Sequence, residues 1–252
     1  MKAAERRRLR AAFRFLVGWS LASCIATAAA ASDAAEGGEP SVDEKVGGEA
    51  AVPSEAPIYR PPARGKPRAR VAGGVRGRNG NVPILRVLAP EHTGRTLSEQ
   101  PSFFWYIDRA PPAGAALVFT LVDDTRVEPL IEAPLERPTA PGIQRIDLAD
   151  YSVGLRQGVE YQWSVALILD SNRRSTDIVS IGWIDRVDVP ADLSAAGPLG
   201  AHAYAEHGLW YDALTAASDR VEADPDHPLR RAPRAALLRQ VGLGLAVSGA
   251  PD

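Results

Sequence analysis

The residue types in this chain that could do chemistry are few, and their spacing limits what the chemistry would be. The four histidines are His92, His202, His207 and His227. His202 and His207 are five positions apart, which turns them away from one another on a helix. With Glu206 they would make a zinc ligand set only on an irregular backbone, so no metal is expected. Asp123-Asp124-Thr125 lies between apolar runs and reads as a hairpin turn. It lacks the alternating oxygens of an EF-hand loop. Asp170 and Asp185 would suit glycoside hydrolysis if their strands faced each other across a cleft. No nucleophile elbow, phosphate-cradling loop, dinucleotide glycine pattern or zinc-protease helix occurs, and no cofactor or catalytic residue is expected. The first choice for a binding surface is the loop carrying Asn172, Arg173, Arg174 and Ser175, where adjacent arginines can grip a partner's carboxylate or phosphate. Its plainer reading is a solvated hairpin connection.

These residues must be held by something, and the periodicity says what. From Val82 onward, short runs alternate in the manner of half-buried strands. They are Val82 to Leu88, the run around Phe103-Trp105-Ile107, the run around Leu117-Phe119-Leu121, and Ile143 to Leu148. Val159 to Leu169 follows, with Tyr161, Trp163, Val165 and Leu167 on one face. The last is Asp177 to Val189, with Val179, Ile181, Trp183 and Val187 together. Six or seven such strands over about a hundred residues predict a mainly β domain, a small antiparallel sandwich of the immunoglobulin or fibronectin III kind. A single cysteine excludes the disulfide-bridged antibody type and any cysteine-rich zinc site. Trp105, Trp163 and Trp183 could stack on sugars, but their apolar neighbours two positions away point to core.

After Pro190 the period becomes helical. A short helix is expected over Pro198 to His207. A second carries Trp210, Ala213, Leu214, Ala217 and Val221 and stops at Asp224-Pro225 and His227-Pro228. A third begins near Pro233 with Leu237, Leu238, Val241 and Leu245. Tyr204, Gly208, Trp210, Ala213 and Pro225 have spacings similar to the second half of one tetratricopeptide unit. One copy cannot make a solenoid, so the prediction is a helical hairpin docked on the sandwich.

The 252 residues carry a formal net charge of -2, which argues against a nucleic-acid partner. That value hides a basic N-terminus, with Lys2, Arg6, Arg7, Arg8, Arg10 and Arg14 against Glu5 alone. An uncharged apolar stretch from Phe15 to Ala31 and small residues at Ala28 to Ala31 complete a secretory signal pattern over residues 1–31. Leu21-Ala22-Ser23-Cys24 offers a competing lipobox, which would make Cys24 an acylated N-terminus. The apolar run continues past it to Ala31, which favours ordinary cleavage. Residues 32–81 read as a disordered linker, acidic to residue 55 and basic from Arg60 to Arg78. The domain plan is therefore signal 1–31, linker 32–81, sandwich 82–190 and helical hairpin 191–252.

Four strings in order carry a wider likeness: Leu97 to Tyr106, Gly158 to Trp163, Gly182 to Val187, and Gly208 to Leu214. In combination they resemble the bacterial domain-of-unknown-function family numbered nine hundred and twenty-eight, over roughly residues 84–245. The resemblance implies an exported protein of bacteria and no established activity.

The expectation is a non-catalytic envelope interaction or accessory module, periplasmic or otherwise exported from a Gram-negative bacterium. Its partner would be a protein or an envelope polymer. Membrane contact would come only through the signal segment, a lipid anchor or the basic linker. The alternatives are a periplasmic hydrolase or carbohydrate-binding protein, and a lipid-anchored envelope structural protein.

Overall fold

In a computed structural model of the chain, the described residues are 56–62, 82–123, 125, 126, 128–190, 193, 199–244 and 246. The chain divides into two units, residues 1–53 and 54–252, and the described residues belong to the second. The expected signal segment, Cys24, the acidic part of the linker and most of its basic part lie outside the described residues.

The longest alternating runs make the longest strands. Glu160–Ile168 (β7) buries Tyr161, Trp163, Val165 and Leu167, as its pattern predicts. It pairs antiparallel with Ala116–Asp123 (β4) on one side and Ile178–Arg186 (β8) on the other. Ile131–Leu135 (β5) extends the sheet beyond β4, and Gly94–Thr96 (β2) extends it beyond β8, giving the order β2-β8-β7-β4-β5. A second sheet has Leu85–Val87 (β1), Ser102–Ile107 (β3) and Gly142–Asp147 (β6) in the order β1-β3-β6. The protein is mainly β, with eight strands in two sheets and three helices after them. The sheets share one core: Phe103 of β3 lies 5.5 Å from Phe119 of β4 and 4.8 Å from Trp163 of β7, ring centre to ring centre.

Four local expectations are corrected. The sheet is not wholly antiparallel, because β2 runs parallel to β8. β5 is not among the strands the periodicity suggests; it contains Pro134 and is an edge strand, where a residue without an N–H is tolerated. β8 turns the other way round: Ile178, Ser180, Gly182 and Ile184 face inward, while Val179, Ile181 and Trp183 lie on the opposite face. The reason is space and hydrogen bonding. The Ser180 hydroxyl accepts the Val87 N–H at 2.9 Å, and a Cβ on Gly182 would stand 2.9 Å from Trp163 Nε1. The third helix begins at Pro228, not near Pro233, because proline at the first helical position gives up an N–H that has no partner there anyway.

The helices are Ala201–Glu206 (α1), Trp210–Ala223 (α2) and Pro228–Gln240 (α3). α2 buries Trp210, Tyr211, Ala213, Leu214, Ala217 and Val221 on its inner face. None of the described helices is long and apolar enough to cross a membrane. Part of the stretch expected to be linker is fixed: Tyr59 is only 6% exposed, and its ring meets Trp210 edge-on at 5.1 Å.

Candidate functional site

Two neighbours at the start of α2 join the helices to the sheets. Tyr211 is fully buried against Phe103 and Trp163. Its hydroxyl accepts the Trp163 Nε1–H at 2.7 Å and donates to the Trp183 carbonyl at 2.9 Å. Gly94 makes room for it, since a Cβ there would come within 2.7 Å of the Tyr211 ring. Burial pushes the Tyr211 phenol well above its ordinary pKa, so it remains a neutral donor. The next residue, Asp212, turns outward from the same first turn. Its Oδ2 accepts the Leu97 N–H at 3.1 Å, and the Thr96 hydroxyl and its own amide also favour its charged form. The acid in the first turn also suits the positive end of the helix.

Beside Asp212 opens a cleft of about 390 Å³. Thr96 at the end of β2, Ser98 and Gln100 in the β2–β3 connection and Ser102 at the start of β3 form one wall. Tyr204 of α1 and Asp212, Thr215 and Asp219 of α2 form the other. Arg145 of β6 lies at the side. β6 places Arg145 directly opposite Phe104, and its guanidinium sits 5.5 Å from that ring centre. Its Nε donates to Asp147 at 2.6 Å, its Nη2 to Ser102 at 2.9 Å, and its Nη1 to Asp219 and Glu222.

Arg145 and Asp212 differ in electrostatics. Burial alone would lower the Arg145 pKa, but its hydrogen bonds to Asp147 and Asp219 outweigh burial and hold it above its usual value. Asp212 has no such opposite charge. Burial pushes its carboxyl up to about 6, against the pull of the Leu97 amide and Thr96 hydroxyl. The cleft therefore holds one satisfied cation and one carboxylate that titrates near neutrality.

The sequence-chosen residues fall elsewhere. Asn172, Arg173, Arg174 and Ser175 form the exposed β7–β8 connection, closed by its own bonds. The Asn172 amide donates to Asp170 Oδ1, and Arg174 pairs with Asp177 at 2.8 Å. This connection lies at the start of β8, about 27 Å along the strand from the Thr96–Arg186 pairing beside the cleft. Asp170 and Asp185 do not face each other. Asp185 is paired with Glu160 at the start of β7, roughly 33 Å from Asp170 beyond its end. Trp105 and Trp163 are 2% and 0% exposed and belong to the core, whereas Trp183 is on the outer face. His207 bonds the Ala203 carbonyl as it leaves α1. Among the described residues no group of three or more His, Cys, Asp or Glu converges as metal ligands. Asp123 closes its turn on the Thr125 hydroxyl and amide, which with Arg156 hold its carboxyl below the usual range; Asp124 lies outside the described residues.

Sequence reasoning passed over Asp212, Arg145 and Ser102, because each is unremarkable in its own segment. One signal was available. Ser98, Gln100 and Ser102 lie in the Leu97 to Tyr106 string, and Asp212 lies in the Gly208 to Leu214 string. The two strings are far apart in the chain and meet at this cleft.

No curated protein and no solved structure matches the chain. Residues 71–251 match the Domain of Unknown Function family DUF928, and that span, which includes both walls of the cleft, makes the chain a member of that family.

Proposed function

We propose that this protein is an exported, non-catalytic interaction module of a bacterial cell envelope, with the cleft between α2 and the β2–β3 connection as its binding site. In this reading the two sheets form an immunoglobulin- or fibronectin III-like sandwich. The helices form a tetratricopeptide-like hairpin that supplies the second wall. The observation that carries the reading is the meeting of two motif strings, Leu97 to Tyr106 and Gly208 to Leu214, on one polar cleft. Clefts at the junction of two structural layers are common ligand sites. The basic and apolar N-terminal pattern supports export.

The test is site-specific photo-crosslinking in the native host, with the crosslinker at Ser98 or Thr215 and, as comparison, at Ser175. One reproducible adduct from the cleft positions is expected. Capture from Ser175 alone would move the binding surface to the β7–β8 connection. Turnover of a cell-wall polymer by the purified chain would overturn the non-catalytic reading. Intact mass of the mature chain tests the address: a start near Ala31 without added mass is expected, and an acylated start at Cys24 would establish a lipid anchor instead.

A further inference from the structure

We infer that the cleft binds an organic cation, an ammonium or guanidinium group, with Asp212 as its counter-ion. The inference deepens the proposed function and rests on its assignment of the cleft as a binding site. It starts from an imbalance of charge. Asp212 and Asp219 line the cleft, and Arg145 is the one cation in its described lining. Four of the five Arg145 N–H groups are taken, by Asp147, Asp219, Glu222 and Ser102, so its charge is already answered by three carboxylates. Asp212 receives only neutral donors, the Leu97 amide, the Thr96 hydroxyl and its own amide.

A partly buried carboxylate without a counter-charge is the group most strengthened by an incoming cation, because Coulomb attraction grows as water is excluded. An anion would meet the surplus of carboxylates and be repelled. The remaining lining also suits a cation's N–H groups: the Ser98 and Thr215 hydroxyls, the Tyr204 phenol and the Gln100 amide all offer acceptor oxygens. The space of about 390 Å³ accommodates a side-chain head group or a small polyamine.

The groups facing Asp212 fix how binding responds to pH. From α1 comes Tyr204, whose phenol is raised by burial and by the Asp212 charge. From β6 comes Arg145, and from α2 itself Asp219. The β2–β3 wall supplies only neutral groups to the cleft. Tyr204 and Arg145 do not change charge between pH 5 and 7.5, so Asp212 governs that window.

The experiment is amide-resolved NMR titration of the folded chain with spermidine at fixed ionic strength, at pH 7.5 and pH 5. The expected result is saturable movement of the Leu97, Asp212 and Thr215 amides, with an apparent Kd about tenfold weaker at pH 5, where roughly a tenth of Asp212 is ionised. Asp212→Asn should weaken binding and remove the pH dependence. Thr215→Lys keeps Asp212 in place and puts an ammonium one turn away on the same helix face. It should block spermidine while leaving Asp212 itself unchanged. Shifts spread over the whole acidic surface, or binding unchanged in both variants, would overturn the inference. If spermidine leaves the cleft untouched while crosslinking from Ser98 still captures a partner, the cation assignment falls and the binding-site reading stands.

Discussion

At the level of single residues, Tyr211 and Asp212 show how one helical turn serves two purposes. Tyr211 has both hydrogen-bonding capacities of its hydroxyl occupied in the core. Tyr211→Phe leaves the Trp163 indole N–H and the Trp183 carbonyl without that partner, at a cost of about 1–3 kcal/mol by urea denaturation. Asp212 acts on stability through pH. Its folded-state carboxyl is raised from 3.8 to about 6, so the folded chain holds that proton more tightly than the unfolded chain does. The fold is therefore favoured below pH 4, and this advantage is lost as pH rises from about 4 to about 6, by roughly 3 kcal/mol at most. His92 works in the opposite direction. Burial, then Arg95, lower its pKa, so stability falls as pH drops through about 6.5. Asp212→Asn should raise the melting temperature at pH 7.5 and remove the largest loss of stability between pH 4 and 6, leaving the His92 trend and that of Asp185, whose carboxyl burial also raises. A variant that kept the wild-type pH profile would show that Asp212 is not the group responsible.

At the level of elements, β8 explains why part of this fold was legible in the sequence and part was not. β7 could be read because Tyr161, Trp163, Val165 and Leu167 fall on every second position and all face the core, while the opposite face begins with polar residues Glu160, Gln162 and Ser164. β8 carries apolar residues on both faces. Its inward set was decided by what fills the space opposite, the Val87 amide at Ser180 and the Trp163 indole and Ala89 at Gly182. Nothing in the local sequence records those partners. Gly182→Ala tests that account: its Cβ would meet Ala89 Cβ at 2.8 Å and Trp163 Nε1 at 2.9 Å. The expected loss is about 1–3 kcal/mol by thermal denaturation, whereas Val179→Ala, on the opposite and partly exposed face, should cost less. β2 was missed for a related reason, since three residues paired parallel to a distant strand have no periodicity to read. The cleft was hidden in the same way. Asp212 alone looks like a helix-start acid and Arg145 like one polar position in an edge strand, and only tertiary packing brings them to one opening. The arginines at 173 and 174 drew attention because they are adjacent, but adjacency in sequence does not bring in a second element.

At the level of the folded unit, the short segment before the basic stretch works as a strap across the helices. The Tyr59 N–H donates to Gln240 Oε1, and Gln240 Nε2 donates to the Pro57 carbonyl, tying the strap to the end of α3. The Arg60 N–H reaches the Ala205 carbonyl in α1, and Tyr59 pairs with His92 at 2.8 Å. Gly208 permits this approach: it has a φ of +71°, and a Cβ there would lie 2.7 Å from the Arg60 carbonyl oxygen. The strap thus touches α1, α3 and the segment just before β2, while Trp210 beneath Tyr59 donates to the Leu88 carbonyl. Because these contacts join helices and sheets through shared side chains, the two should unfold together. Tyr59→Ala removes a buried aromatic ring and should cost about 3 kcal/mol, roughly 6–12 °C in melting temperature for a unit of this size. Tryptophan fluorescence, which follows the core, and far-ultraviolet circular dichroism at 222 nm, which follows the helices, should give coincident transitions in both wild type and variant. If the helical signal were lost first in the wild type, the helices would be an appendage, and the cleft between them and the sheets would lack the rigid second wall that binding at Asp212 requires.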